Sequence, residues 1–140
     1  MGSKNFQIHP QLTADSHELF EWQHCHLRLH KNATLPWLII VPNTELIEFH
    51  DLSSELQLEI THISQITSAY FKAEFGAEKI NFAAIGNVVQ QLHIHVIGRH
   101  RKDPLWPAVI WGNDLPSKQY LTDEIASIKQ ILLNYLEGVA

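Results

Sequence analysis

An α+β domain built on an antiparallel sheet is the fold class this sequence predicts, on three observations. Extended runs occur in pairs joined by short polar links, two long amphipathic helical patterns follow them, and no strand–helix–strand alternation of the kind that makes a parallel sheet is present. At 140 residues the chain reads as a single domain, 1–140, able to bury roughly two-thirds of the surface its unfolded form exposes.

The segment around Asp15 to Phe20 is compatible with helix or turn, and the residues leave both open. Residues 25–30 and 36–41 are extended runs joined by the polar Lys31-Asn32-Ala33-Thr34, which reads as a hairpin, with Pro36 and Pro42 bracketing its second strand. Asp51 or Ser53 can cap a helix whose apolar residues Leu56, Ile60, Ile63, Ile66, Tyr70 and Phe71 recur at helical spacing, and Gly76 stops it. Residues 79–85 are rich in strand formers, and Gly86-Asn87 predicts a tight link to a following strand and so a second hairpin. After Gly98 the chain turns polar and is punctuated by Pro104, Pro107, Gly112 and Pro116, which predicts irregular structure. Thr122 can cap a last helix, with Asp123 and Glu124 placed favourably against its dipole and Ile125, Ile128, Leu132, Tyr135 and Leu136 as its buried stripe.

Composition narrows the functional classes. Ten Lys and Arg against fifteen Asp and Glu give a net charge of -5, which repels polyanions at long range and argues against non-specific nucleic-acid binding. Cys25 is the single cysteine, so no intramolecular disulfide is possible, and a small core residue in a reducing compartment is the simplest reading. Met1-Gly2-Ser3-Lys4-Asn5-Phe6 shows neither a signal core nor a complete myristoylation pattern, and no apolar stretch approaches spanning length. A cytoplasmic protein with no membrane partner is expected. Phosphate-loop, dinucleotide, zinc-protease and serine-hydrolase motifs are absent from the sequence.

What remains is Gln91-Leu92-His93-Ile94-His95-Val96-Ile97. On a strand, Gln91, His93 and His95 share one face while Leu92, Ile94 and Val96 fill the other. Two imidazoles about 7 Å apart suit a phosphate-sized ligand, one attacking phosphorus while the other donates a hydrogen bond to a non-bridging oxygen. The same pattern has two other readings. His-x-His recurs in metal sites, with His24, His26 or His100 as further ligands, although Gln91 is a poor ligand and no Cys or carboxylate lies at ligand spacing. It also fits an exposed strand face with no chemistry.

The run from Gly86 to Arg99 resembles the signature of the histidine-triad (HIT) superfamily of nucleotide hydrolases and transferases, His-x-His-x-His followed by apolar residues, with Gln91 at the first position. The resemblance implies a HIT-like sheet of about five strands with two long helices, and a homodimer. It gives His93 the role of nucleophile toward the α-phosphorus and His95 that of the third histidine, which helps hold the phosphate. Gln91 completes the catalytic row but cannot carry a proton across neutral pH, and members with Gln at an outer position mark it as a subfamily trait.

Leu35-Pro36-Trp37-Leu38-Ile39-Ile40-Val41-Pro42 resembles the family strand that walls the nucleotide site, with Trp37 where many members carry a further histidine. Asn32, or Lys31, matches the hairpin region that reaches the ribose. Asn87 lies where relatives set a small polar group against the phosphate, and it reads equally as a turn residue. Val88 replaces a Ser or Thr, leaving its backbone N–H to make any phosphate contact. Arg99, in the cluster Arg99-His100-Arg101-Lys102, could attract phosphate or belong to a solvated exit loop. Trp106 and Trp111 resemble loop tryptophans that in some bacterial members lie near a partner's active site, where stacking on a base contributes about 1–3 kcal/mol. Packing against the domain explains them as well.

The implied function is hydrolysis or transfer at the α-phosphate of dinucleoside polyphosphates or nucleoside phosphoramidates through a nucleotidyl-histidine intermediate. The alternative is a nucleotide-binding sensor with little turnover. No cofactor is implied, beyond a divalent cation accompanying a polyphosphate substrate.

Overall fold

Val, Ile and Leu crowd residues 37–42 and 94–99, and in the computed structural model these two runs become adjacent central strands, buried along their whole length. The structure describes residues 5–139, so the leader reading of Met1-Gly2-Ser3-Lys4 lies outside the described residues. In chain order the elements are α1 (Pro10–Asp15), β1 (Ser16–Trp22), β2 (Cys25–His30), β3 (Trp37–Pro42), a 3₁₀ turn at Phe49–Asp51, α2 (Ser54–Phe75), β4 (Lys79–Ala83), β5 (Ile94–Arg99) and α3 (Thr122–Glu137). The strands form one antiparallel five-stranded sheet in the order β1-β2-β3-β5-β4.

Alternation along the central strands builds an apolar layer on each face. Leu38 and Ile40 of β3 and Ile94 and Val96 of β5 point to one side, packing with Ile60, Ile63, Tyr70 and Phe71 of α2 and Ile128, Leu132 and Leu136 of α3. Trp37, Ile39, Val41 and Ile97 point to the other, where Leu12, Leu35, Val89 and Ile110 cover them. Gly98 lets β5 approach its neighbours, since a Cβ there would sit 2.8 Å from Pro36 Cγ and 3.0 Å from Ala77 Cβ. Ser53 caps α2 through its hydroxyl on the Leu56 N–H, and Gly76 ends the helix in the left-handed region at φ 69°.

The structure corrects the sequence reading in three places. The undecided segment is helix and then strand. His9 caps α1 by accepting the Gln11 N–H on its imidazole, and β1 pairs with β2 through a turn in which Gln23 takes φ 53°. A register shift between Glu18 and Phe20 breaks the two-residue period of β1, which hides its alternation from sequence. The link between β4 and β5 is a loop spanning 84–93 rather than a tight turn, so β5 begins at Ile94 and both Gln91 and His93 precede it. The cap of α3 falls on Leu121, whose backbone N–H is held by Glu124 Oε1 at 2.8 Å, and Thr122 opens the helix. Cys25 is a core residue whose thiol burial pushes up to about 12.

Candidate active site

The two imidazoles carry opposite hydrogen-bonding states, imposed by their neighbours. His93 Nδ1 lies 2.7 Å from the Gln91 carbonyl oxygen, and because a carbonyl only accepts, that nitrogen holds the proton and Nε2 keeps its lone pair. His95 Nδ1 instead accepts the indole N–H of Trp37 at 2.9 Å, which puts the His95 proton on Nε2. One ring therefore offers an electron pair and its neighbour a donor. Their centroids are 4.9 Å apart with planes crossed at 74°. Burial, then the adjacent His93 and His30, bring the His95 imidazole down to about 3, so it is neutral in neutral solution.

Sheet register delivers this arrangement. Ile39 faces His95 and Trp37 faces Ile97 across the β3–β5 pair, which leaves Trp37 on the same face as His95 and one diagonal step away, within reach of a long aromatic side chain. The Trp37 ring is clamped by His30, stacked at 3.7 Å and 6°, and by the edge of Trp111 at 6.3 Å. Trp111 also meets His95 edge-on at 5.1 Å.

Both imidazoles are buried. His93 is 7% exposed and His95 6%, because the second apolar layer roofs that face. Both nevertheless line a cavity of about 370 Å³, a size suited to a small ligand, together with Trp37, Ile39, His30, Gln11, Asp15 and the loop residues from Ile85 to Val89. A second cavity of about 360 Å³ shares His93, Ile85 and Gly86, and Glu48, Phe49, His50 and Gln90 are among its other walls. Among the described residues, no Lys or Arg lines either cavity.

The remaining sequence-predicted residues divide. Asn87 and Val88 line the larger cavity beside the imidazoles, as does Trp111. Gln91 does not: its side chain accepts the His9 backbone N–H and donates to the Gln7 carbonyl, each at 2.8 Å. Asn32 binds Thr34, the Lys118 N–H and the Pro116 carbonyl, tying the β2–β3 link to residues 116–118, and neither it nor exposed Lys31 is in the lining. Arg99 is buried, bonding both oxygens of Asp103, the Asn81 side chain and the Ala108 carbonyl, with the Trp106 ring 5.8 Å away. It organises the loop that carries Trp111 rather than reaching the cavity. Burial alone would raise the Asp103 carboxyl, but the Arg99 guanidinium and the N–H groups of His100 and Leu105 outweigh it and hold it below the usual range.

His30, Gln11 and Asp15 were not singled out in sequence. His30 ends a predicted strand and was visible as a hairpin edge, whereas Gln11 and Asp15 depend on a helix whose only signal was Pro10 after His9. The histidines considered as metal ligands are dispersed, His24 pairing with Glu59 at 2.7 Å and His26 stacking on Phe6. Among the described residues, no group of three or more His, Cys, Asp or Glu could hold a metal ion.

Fold and comparisons together define a histidine-triad protein, in which Gln91 stands two residues before His93. The HIT domain family matches residues 11–102, and the chain belongs to that family. It is similar to a histidine triad protein from Marinobacter aquaeolei VT8, 39% identical with a TM-score of 0.85 over 96% of this chain and 98% of that one. A histidine triad (HIT) protein from Sinorhizobium meliloti 1021 is 32% identical with a TM-score of 0.86, covering 96% and 99% of the two chains. One from Bradyrhizobium japonicum is 27% identical at a TM-score of 0.85, covering 94% and 98%. No curated protein matches the chain.

Proposed function

We propose that this protein is a nucleotide hydrolase or transferase that acts on an α-phosphate through a nucleotidyl intermediate on His93. The observation that carries the reading is the His93 Nδ1–H donated to the Gln91 carbonyl, which leaves the Nε2 lone pair of a neutral ring free to act as nucleophile. The His93 Nε2 lone pair forms a bond to the α-phosphorus as the bond to the leaving group breaks, and the leaving group takes up a proton from water. Water then attacks the same phosphorus, the P–N bond breaks back onto Nε2, and the nucleoside monophosphate leaves with release of a proton. The His95 Nε2–H stabilises the charge on the non-bridging oxygens in both steps.

The nucleoside occupies the cavity of about 370 Å³, with its base near Trp111 and its ribose near His30 and Asp15. Asn87 and the Val88 N–H complete the phosphate cradle. With no guanidinium or ammonium group in the lining, the site favours a phosphate bearing one negative charge, so nucleoside phosphoramidates are better substrates than dinucleoside polyphosphates. A homodimer is supported by family membership and by the free edge of β4, where Phe82 is 54% exposed. No helix among the described residues is long and apolar enough to cross a membrane.

Incubation with an adenosine phosphoramidate tests the reading. Release of adenosine monophosphate, and an intact-mass increase of one adenylyl group under acid-sparing conditions, are expected. Tight binding with neither product nor adduct would make the protein a nucleotide sensor, a reading favoured by the absence of a third imidazole.

A further inference from the structure

The side chain at the first triad position is committed elsewhere. Gln91 Oε1 accepts the His9 N–H and Gln91 Nε2 donates to the Gln7 carbonyl, both at 2.8 Å, which is the two-point pairing an amide offers to an extended backbone and an imidazole cannot reproduce. The segment it grips is not idle. Phe6 and Ile8 pack on the apolar layer covering the site face, Phe6 also stacks on His26 at 5.5 Å, and His9 begins α1 by capping it. That helix then supplies Gln11, Leu12 and Asp15 to the wall of the nucleotide cavity, with Gln11 Nε2 donating to the Asp15 carboxylate at 2.9 Å. Gln91 thus links the base of the catalytic loop, two residues from His93, to the wall opposite the sheet.

We infer that Gln91 is a positioning residue for substrate binding, a clamp that holds residues 7–9 and with them α1 as a fixed wall of the nucleotide cavity, instead of an acid, base or phosphate ligand. The inference rests on the larger cavity being the nucleotide site. Closing that wall ahead of binding reduces the ordering a ligand must bring about itself, so the effect falls on affinity and KM more than on kcat. The replacement of an imidazole by an amide then exchanges a titratable group for a hold on the N-terminal segment.

The test joins hydrogen exchange to kinetics. In the wild-type protein the His9 amide should be protected, and Gln91→Ala should speed its exchange at least tenfold while the amides of β5 stay as they were. Gln91→Ala should raise KM for an adenosine phosphoramidate about tenfold and lower kcat by less. Deletion of residues 1–9, which also removes the Phe6 and Ile8 packing and the His9 cap, should raise KM at least as much, and adding Gln91→Ala to the deletion should change it no further, because the deletion already takes away both partners of the Gln91 amide. Gln91→Glu, which keeps the acceptor for His9 but loses the donor to Gln7, should fall between. Additive effects of deletion and substitution, or a loss confined to kcat with His9 exchange unchanged, would overturn the clamp. If no nucleotide is turned over or bound by the wild type, the exchange result still judges the contact, and the functional reading fails separately.

Discussion

Trp37 and His95 are joined by a single hydrogen bond, indole N–H to Nδ1 at 2.9 Å, and both rings are buried. The bond makes His95 a donor toward the site, and the indole N–H, a donor only, does not titrate near neutral pH. His30 stacks on the indole and Trp111 meets it edge-on, so packing holds in place the donor that sets the His95 tautomer.

Trp37→Phe keeps an aromatic ring in place but strips the donor. A buried acceptor left without its partner costs about 1–3 kcal/mol, and free choice of tautomer weakens the Nε2–H donor. The expected result is a tenfold to hundredfold fall in the rate of nucleotidyl transfer to His93, on the scale of 1.36 kcal/mol per decade, with KM changed far less. Single-turnover kinetics measure it.

Acid should unfold the protein early. His95 titrates near 6.5 when unfolded and at about 3 when folded, so below pH 6.5 the unfolded chain binds the extra proton and stability falls as pH drops toward 3. His30 and His17 are also lowered, chiefly by burial, and act in the same direction. Asp103, held below its usual range, contributes stability that is lost as pH falls through its folded value. Urea denaturation from pH 7 to 4 should show a steady decline, made shallower by His95→Asn by up to about 1.4 kcal/mol per pH unit.

Arg99→Ala should harm the fold rather than substrate recognition. It leaves the Asp103 carboxylate buried without its cation and frees the Asn81 and Ala108 acceptors, a change of about 3–5 kcal/mol. Thermal denaturation should show the loss, while KM at a temperature where the variant stays folded should move by less than about threefold. A large KM effect in a fully folded variant that keeps Trp111 in its place would return Arg99 to the substrate.

The cavity linings, devoid of Lys and Arg among the described residues, bear on cations. Added magnesium should accelerate turnover of a dinucleoside polyphosphate, whose charge the chain does not neutralise, and leave a nucleoside phosphoramidate almost unaffected. Initial rates with and without a chelator measure both. Equal stimulation would indicate a metal acting on the α-phosphate itself.

Much of the fold could be read from residues whose burial is periodic. The stripe of α2 and the apolar run of β3 need no tertiary context, since their spacing alone decides which face is buried. β1 could not be read because its bulge puts Ser16 and Leu19, rather than alternate residues, into the core. The site was legible as chemistry and not as placement. His93 and His95 announce themselves by type and spacing, but the hold of Gln91 on Gln7 and His9 spans more than eighty positions, and the sequestration of Arg99 by Asp103 depends on a loop with no period to follow. The cavity wall contributed by Gln11 and Asp15 was hidden for the same reason.

The account rests most directly on which nitrogen of each imidazole carries the proton. Long-range ¹H–¹⁵N correlation spectra of ¹⁵N-histidine-labelled protein at pH 8, assigned through His93→Ala and His95→Asn, should show His93 as the Nδ1–H tautomer and His95 as the Nε2–H tautomer. A neutral His93 ring protonated on Nε2 would carry its lone pair on Nδ1, against the Gln91 carbonyl and not toward phosphorus, and would contradict the account.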